Sequence, residues 1–370
     1  MNTLNDFNFK NKKVLVRIDL NSDYVNKKII LNQRYKASSI TIKELKKKKA
    51  KIILLAHQGR PKQRDFTSLE QHCKLLNKFV KVKFIDDIIG EKAIEAINNL
   101  KNGDVILLDN IRKLKDEFKG NFSNKFVRTL SKITDIYVND AFSVSHRKQA
   151  SVVGFPKVMK HCIGRTMEKE LRYLSKLRLR NALFILGGAK PEDNIELLNN
   201  RRRILSCGLF GQLCRISTGV NFGAQNKFLK KKIGIVKKNK LKNVEMPMDF
   251  AVRVNGKRKE LLLSDFPSKY EIFDIGEITI KRYKEEIKKA EVVFMKGPAG
   301  ECAMKPFCKG TREILKAISR GKCFSIIGGG HLSDAAAKLG IRKIDHISLS
   351  GGALLEFVAG KKLPGVEALK

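Results

Sequence analysis

Short apolar runs rich in β-branched residues recur along the chain and alternate with stretches of helical periodicity. This alternation is typical of βαβ units, in which helices cover a parallel sheet. Ten such runs predict strands, at residues 13–21, 51–59, 81–86, 104–110, 135–140, 182–188, 203–208, 292–297, 323–330 and 346–352. The pattern therefore predicts an α/β fold, and 370 residues suffice for two domains of this kind.

A helical segment at residues 166–178 separates the first five predicted strands from the last five. Met167, Leu171 and Leu174 fall on one helical face, and Thr166 is a candidate N-cap residue. We therefore expect two doubly wound, Rossmann-like parallel-sheet domains joined by a linker helix. The expected boundaries are an N-terminal domain at 1–165, an interdomain helix at 166–178, a C-terminal domain at 179–355 and a C-terminal segment at 356–370.

The charge of the chain is strongly basic, with 76 Lys and Arg against 37 Asp and Glu, a net charge of +39. Nucleic-acid binding is one interpretation of such a balance. The basic residues are spread along the whole chain, however, and no aromatic residues interleave with them in a stripe. We therefore favour a solvated, lysine-rich surface, and a basic RNA-binding or scaffold role stays open as the alternative.

Several classes of protein are disfavoured by composition. No run of about 18 apolar residues predicts a membrane span, and the N-terminus has no signal-peptide core, so we expect a cytoplasmic location. The seven cysteines form no CxxC pair, which argues against a zinc site and against a disulfide framework. We expect most of them to be small buried hydrophobic residues, and we predict no protein-bound metal.

Polar side chains follow the strands of the first half, where ligands bind in open parallel sheets. Arginine suits bidentate contact with phosphate or carboxylate, so a set of arginines at one sheet edge indicates a site for a small polyanion. The residues in question are Asp19, Asn21, Arg34, His57, Arg60, Asn110, Arg112, His146 and Arg147.

Glycines follow the strands of the second half, in the stretches GGAK, SCG, KGPAG, GGGH and SGG. Glycine loops that open helices bind phosphate well, because their N–H groups are unpaired and the helix dipole favours an anion. Five such loops at one edge indicate a nucleotide site. No GxxxxGK[ST] motif is present, and no GxGxxG with a following acid supports a dehydrogenase. Two anion sites in two domains favour phosphoryl transfer with domain closure.

The order of these motifs resembles that of phosphoglycerate kinases, and of their archaeal branch in particular, over nearly the whole chain. The matching stretches are VLVRIDLN, LLAHQGRP, LLDNIR, YVNDAFSVSHRKQAS, MEKEL, LGGAK, KGPAG, IIGGGH and SGGALLE with GKKLPGVEAL. The resemblance implies a glycolytic kinase that transfers a phosphoryl group in line between 1,3-bisphosphoglycerate and ADP, giving 3-phosphoglycerate and ATP. It also implies Mg²⁺ carried with the nucleotide, a C-terminal segment packed on the N-terminal domain, and a monomer or homodimer.

The resemblance also assigns site residues by motif. Those for 3-phosphoglycerate are Asp19, Asn21, Arg34, His57, Arg60, Arg112 and Arg147. Those for the nucleotide are Gly187, Gly188, Lys190, Gly208, Gly276, Gly297, Gly329 and Gly330. Arg34 and Lys190 correspond to catalytic cations of the family.

The sequence departs from the family pattern at six positions. A second lysine is replaced by Asn194, an aspartate by His331, a ribose-binding acid by Ala303, a glycine by Cys207, a histidine by Gln149, and the asparagine before GP by Lys296. The changes at Asn194 and His331 also occur in the archaeal pattern. Because the chain lacks the second lysine, we expect another cation to compensate, and Lys296 is our candidate third catalytic residue.

Overall fold

The computed structural model describes residues 1–178, 182–198 and 203–370. The chain divides into two compact units, one at Met1–Arg172 with Lys361–Lys370 and the other at Tyr173–Gly360. The division falls within a helix at Arg165–Ser175, which a 3-10 turn at Lys176–Arg178 continues. Residue 179, where we expected the C-terminal domain to begin, lies outside the described residues.

The first unit alternates strands and helices. In chain order these are β1 Lys13–Arg17, β2 Tyr24–Val25, β3 Lys28–Ile29, α1 Gln33–Lys47, β4 Lys51–Leu55, α2 Glu70–Leu76, β5 Lys83–Ile85, α3 Glu91–Asn98, β6 Val105–Leu108, α4 Lys125–Ile133, β7 Ile136–Asn139, β8 Lys160–Ile163 and α5 Arg165–Ser175. Short 3-10 turns occupy Ile111–Lys113, Lys115–Phe118, Phe142–Val144 and Phe155–Lys157, and a π-helical turn occupies Ala150–Gly154.

Six strands of this unit form a parallel sheet in the order β5-β6-β4-β1-β7-β8. Strand β1 lies in the middle because its apolar residues are buried on both faces, as in the run Val14 to Val16. The chain runs outward from β1 on one side and then returns to place β7 on the other. The strand order thus reverses between β1 and β7, which makes this edge the expected ligand position.

The second unit repeats the alternation. Its elements are β9 Ala182–Leu186, α6 Glu192–Ile195, β10 Arg203–Ser206, α7 Gly208–Ser217, α8 Ala224–Phe228, β11 Val244–Glu245, β12 Asp249–Val254, β13 Lys257–Leu262, β14 Ile272–Ile275, α9 Glu277–Lys289, β15 Val292–Lys296, α10 Lys309–Arg320, β16 Phe324–Gly328, α11 Gly330–Lys338, β17 His346–Ser348 and α12 Gly351–Val358. Further 3-10 turns occupy Lys230–Lys232, Lys238–Lys240, Leu263–Asp265 and Lys305–Cys308. A last helix, α13 Pro364–Glu367, belongs to the first unit, where the N–H of Gly365 bonds to the carbonyl of Ser145 at 2.8 Å.

The parallel sheet of the second unit has the order β11-β10-β9-β15-β16-β17. The strand order reverses between β9 and β15, as in the dinucleotide-binding α/β fold. A smaller antiparallel sheet, β13-β12-β14, packs Phe222, Phe250, Val252 and Ile272 into a separate apolar cluster. The predicted α/β class with two parallel sheets is confirmed, and every one of the ten predicted strands is present.

Two expectations from the sequence are wrong in detail. Thr166 does not cap the linker helix, because α5 begins at Arg165 and the buried carboxylate of Asp140 accepts the backbone N–H groups of Thr166 and Met167 at 2.7 and 3.1 Å. The cysteines also form one disulfide, between Cys302 and Cys308. The other five cysteines are free and buried, as expected.

Candidate active site

Side chains from four loops meet at the edge where β1 and β7 end in the first unit. Strand β1 leads to Asp19 and Asn21, and the N–H of Gly59, in the loop after β4, donates to Oδ1 of Asn21 at 3.0 Å. Arg34 enters from the first turn of α1, where Asn32 caps the helix by accepting the N–H of Arg34 at 2.9 Å. Polar side chains that lie far apart in the sequence are therefore brought together at this edge.

Asp19 links the loop after β1 to two other segments. Its carboxylate accepts the N–H of Asn21 at 3.0 Å and the hydroxyl of Ser143 at 2.5 Å, and Nε of Arg34 lies 3.0 Å from Oδ2. Burial by itself raises the pKa of Asp19, but Arg34 and these donors outweigh it, so the pKa lies below its ordinary value. Asp19 is thus an anion that orients Arg34, whose Nη1 also donates to the carbonyl of Asn21 at 2.7 Å.

His57 is buried and faces cations. Nη2 of Arg17 lies 3.0 Å from Nδ1 of His57, and burial, reinforced by the neighbouring arginines, holds the pKa of His57 well below its ordinary value. Because a guanidinium can only donate, Nδ1 accepts, and the proton of the neutral ring lies on Nε2. His57 can therefore donate one hydrogen bond from Nε2 to a ligand.

Arg17 is a site residue that the sequence analysis missed. It is fully buried, and its Nε donates to the hydroxyl of Ser151 at 3.0 Å. The same hydroxyl donates to Glu117 at 2.7 Å, and burial raises the pKa of Glu117 despite Arg17. A charged side chain at the end of an otherwise apolar strand was the available signal, because a buried arginine needs partners.

Arg112 is a buried cation of the group whose hydrogen-bonding capacity is only partly used. It follows β6 in a 3-10 turn and is 4% exposed, and its Nη1 donates to the carbonyl of Gly59. Its Nε and Nη2 are buried and have no hydrogen-bond partner among the described residues. Burial first, and then Arg147 and Arg17, lowers the pKa of Arg112 to about 10. Two buried, unpartnered nitrogens on a cation indicate a place for an anion.

Arg147 and Arg60 complete the arginine group. Burial and then Arg60 lower the pKa of Arg147, so the two side chains lie close enough to repel each other. Arg60 is exposed, and Nε of Arg147 lies 3.2 Å from Nε2 of His146. Gln149, which replaces a family histidine, is buried, and its Oε1 has no partner within the described part of the chain. The seven predicted 3-phosphoglycerate residues thus lie at one edge of one sheet, in the loops and turns that follow its strands and, for Arg34, in the first turn of α1.

Glycine loops of the second unit approach one another closely where β9 and β15 end. The N–H groups of Gly187 and Gly188 donate to the carbonyls of Lys296 and Pro298, both at 2.8 Å. A Cβ on Gly187 would lie 2.5 Å from the carbonyl oxygen of Pro298, and one on Gly297 would lie 2.6 Å from that of Gly187. Side chains cannot be accommodated here, so the glycines are required by backbone packing.

The remaining predicted glycines divide into two groups. A Cβ on Gly208 would lie 2.8 Å from the backbone nitrogen of Gly188, so Gly208 belongs to the same close-packed loops. Gly276 packs instead against Asp249, to whose carbonyl its N–H donates at 2.9 Å. Gly329 and Gly330 open α11, and a Cβ on either would meet none of the described atoms within 4 Å, which leaves their backbone accessible at the neighbouring strand end.

Two lysines lie beside these loops. Lys190 is exposed at the end of the GGAK loop, and Lys296 ends β15 with 12% of its side chain exposed. Nζ of Lys296 lies 3.3 Å from Oδ2 of Asp193 and 3.2 Å from Oδ1 of Asn194. Burial, against the opposing effect of Asp193, lowers the pKa of Lys296, and Lys190 lowers it further. Lys296 therefore occupies the neighbourhood of Asn194.

The other departures from the family pattern differ in their surroundings. Cys207 is buried, and its Sγ would lie 2.6 Å from a Cβ on Gly187, so the thiol fills space beside the loop. Ala303 and His331 are exposed, and the N–H of Ala303 donates to Oε1 of Glu301 at 3.1 Å.

Residues 1–178, 182–198 and 203–370 contain no cluster of three or more His, Cys, Asp or Glu suited to a metal ion. Within those ranges no helix has the length and apolar character of a membrane span.

A buried arginine group at one sheet switch point and close-packed glycine loops at another are features of a two-domain α/β phosphotransferase. The sequence model described as phosphoglycerate kinase matches residues 4–361. The phosphoglycerate kinases of Methanothermus fervidus and Pyrococcus furiosus are 40% and 39% identical to the chain, over 100% and 99% of its length and 96% and 97% of theirs. The crystal structure of phosphoglycerate kinase from Pyrococcus horikoshii superposes with a TM-score of 0.91 at 36% identity, covering 100% of this chain and 98% of that one. The structure of phosphoglycerate kinase from Coxiella burnetii superposes with a TM-score of 0.85 at 28% identity, covering 100% of this chain and 98% of that one. The chain belongs to the phosphoglycerate kinase family.

Proposed function

We propose that the chain catalyses reversible phosphoryl transfer between 1,3-bisphosphoglycerate and ADP, giving 3-phosphoglycerate and ATP. In the direction of ATP consumption, a carboxylate oxygen of 3-phosphoglycerate attacks the γ-phosphorus, and the bond from that phosphorus to the β-bridging oxygen breaks. No proton needs to move, because both the attacking carboxylate and the leaving phosphate are already ionised. The protein's task is to position the reactants and to stabilise charge.

The observation that carries this proposal is the uncompensated charge at Arg112. Its unpartnered Nε and Nη2 belong to a group that also contains Arg147 and the neutral His57. A ligand with a phosphate and a carboxylate offers acceptors to all of these donors, and it relieves the repulsion between the arginines. We assign 3-phosphoglycerate to this unit, through Asp19, Asn21, Arg34, His57, Arg60, Arg112 and Arg147.

The nucleotide is assigned to the second unit. Its glycine loops pack closely at the switch point between β9 and β15, where phosphates bind in this type of sheet, and Gly329 and Gly330 open α11 at the end of the neighbouring strand. The assigned residues are Gly187, Gly188, Lys190, Gly208, Gly276, Gly297, Gly329 and Gly330. Mg²⁺ is part of the nucleotide substrate in this proposal, bound to its phosphate oxygens.

Transfer requires that the two bound ligands meet. We attribute this to a closing motion of the two units about the linker helix, which would also exclude water from the phosphoryl group. Arg34 and Lys190 would then neutralise the charge on the group in transfer. A monomeric or homodimeric state and a cytoplasmic location remain predictions.

A coupled assay with 3-phosphoglycerate and Mg·ATP tests the proposal. Wild-type protein should turn over, and Arg147→Met should raise the KM for 3-phosphoglycerate at least tenfold because an arginine facing the ligand is lost. Arg128→Met, on the exposed face of α4, removes the same charge away from the site and should leave the KM unchanged. Absence of turnover, together with RNA affinity that falls steeply with salt, would instead support a basic RNA-binding role.

A further inference from the structure

Lysine and asparagine occupy exchanged positions beside the nucleotide loops. The resemblance to the family implies lysine at the position of Asn194 and asparagine at that of Lys296, whereas this chain has the reverse, and the archaeal pattern shares the change at Asn194. The two side chains touch, because Nζ of Lys296 lies 3.2 Å from Oδ1 of Asn194. Exchange of the two residues between α6 and β15 keeps one ammonium and one amide at the same location.

Lys296 is poorly compensated for a lysine that is only 12% exposed. Its ion-pair partner, Asp193, lies 3.3 Å away and is itself 43% exposed, so its charge is screened by water. The pKa of Lys296 is nevertheless lowered, which means that burial outweighs the attraction of Asp193. A buried ammonium whose counter-ion is screened by water favours an incoming anion.

Asn194 holds Lys296 at this location. Asn194 is fully buried, and its Nδ2 donates to the carbonyl of Gly187 at 3.0 Å while its Oδ1 accepts from Lys296. The amide thereby connects the ammonium to the first glycine loop. Strand pairing places Lys296 directly opposite Leu186, the residue that precedes this loop, so its backbone position is fixed as well.

We propose that Lys296 is the second cation, beside Lys190, that contacts the transferring phosphoryl group, and that Asn194 is its positioning residue. This proposal rests on the proposed function. The ammonium binds non-bridging oxygens of the phosphoryl group while the bond to the leaving oxygen breaks and the bond to the attacking oxygen forms, and no proton is transferred. Asp193 is its counter-ion until a phosphate replaces the carboxylate.

The exchange can be reversed by mutation. Lys296→Asn should lower kcat by about 10²–10³, the effect of removing one preorganised cation, with a smaller effect on the KM for ATP. The double variant N194K/K296N returns the lysine to the family position, and its kcat should be at least tenfold higher than that of Lys296→Asn. Lys288→Asn, on an exposed position of α9, removes the same charge elsewhere in the unit and should retain wild-type kcat.

The outcomes separate the two proposals. If wild-type protein shows no turnover, the proposed function fails and this inference fails with it. If wild-type protein turns over and Lys296→Asn stays within threefold of it, only the inference fails. Failure of the double variant to exceed Lys296→Asn, when both bind ADP and melt like wild type, also overturns it. Should Lys296→Asn not fold, Lys296→Met is judged by the same threefold limit.

Discussion

Replacing Arg112 with methionine should raise the stability of the protein and lower its activity. Methionine keeps much of the buried volume but removes the charge and the hydrogen bond to the carbonyl of Gly59. Because Nε and Nη2 have no partner within the described residues, the native protein without a ligand holds a cation that is paired only in part. Such charges persist at sites whose ligand supplies the missing partner.

The magnitude follows from the pKa of Arg112, which falls from 12.5 to about 10. A tenfold change in proton affinity corresponds to about 1.4 kcal/mol, so the charged form costs up to about 3 kcal/mol of folding stability. Loss of the bond to Gly59 offsets about 1 kcal/mol of this cost. The net stabilisation of about 2 kcal/mol should raise the Tm of the first unit by about 4–8 °C.

Activity should change in the other direction. Loss of a buried cation that faces a charged ligand costs about 2–5 kcal/mol, so kcat/KM for 3-phosphoglycerate should fall by about 10²–10³. Thermal unfolding followed by circular dichroism and the coupled assay measure the two effects, with Arg128→Met as the charge-matched control. A variant that melts below wild type and keeps kcat/KM within threefold would refute the assignment of Arg112 to an anion site.

Three further changes test other parts of the structure. Burial raises the pKa of Asp140 from 3.8 to about 7, so the free energy of unfolding of the wild type should fall as pH rises from about 4 to 7. Asp140→Asn should remove this pH dependence, which urea titrations can measure. Gly187→Ala should weaken ADP binding at least tenfold by calorimetry, because the new Cβ lies 2.5 Å from a backbone oxygen of Pro298; unchanged affinity would contradict this. Ser143→Ala removes a donor to Asp19, which orients Arg34, and should lower kcat/KM for 3-phosphoglycerate about tenfold, whereas an unchanged kcat/KM would contradict a positioning role.

The parallel sheets could be predicted from the sequence because buried central strands are apolar on both faces and end in turn residues. The antiparallel sheet β12–β14 was missed, although a signal for it was present. Asn255 and Gly256 connect β12 and β13 with positive φ angles of 46° and 76°, and Asn-Gly between two extended runs predicts a hairpin. Strand β13 shows no alternation of apolar and polar residues, because it is charged over most of its length and has exposed residues on both faces.

The candidate site was predicted as a set of residue types at strand ends, but its charge balance was not. Sequence spacing does not show that Arg34 is paired with Asp19 while Arg112 lacks described partners at two nitrogens, since those facts depend on rotamers and on contacts between distant segments. The prediction that Thr166 caps α5 failed for the same reason. Thr166 has the right residue type, but the helix begins one residue earlier, and Asp140, distant in sequence, accepts the N–H groups of its first turn.

The two units use different chemistry to bind anions, and the difference matches the ligands assigned to them. In the first unit, side-chain cations are fixed by a buried network in which Arg17 orients His57 and Ser151 connects Arg17 to Glu117. Fixed, directional donors suit a small ligand whose carboxylate and phosphate must be held in one orientation. In the second unit, the assigned site consists mostly of close-packed glycine loops, in which the N–H groups of Gly187 and Gly188 already donate to backbone carbonyls, and Lys190 and Lys296 lie beside them. Lys296, the proposed second cation of this site, lies 3.2 Å from Asn194, so its mutation is the most direct test of how the chain departs from the family pattern.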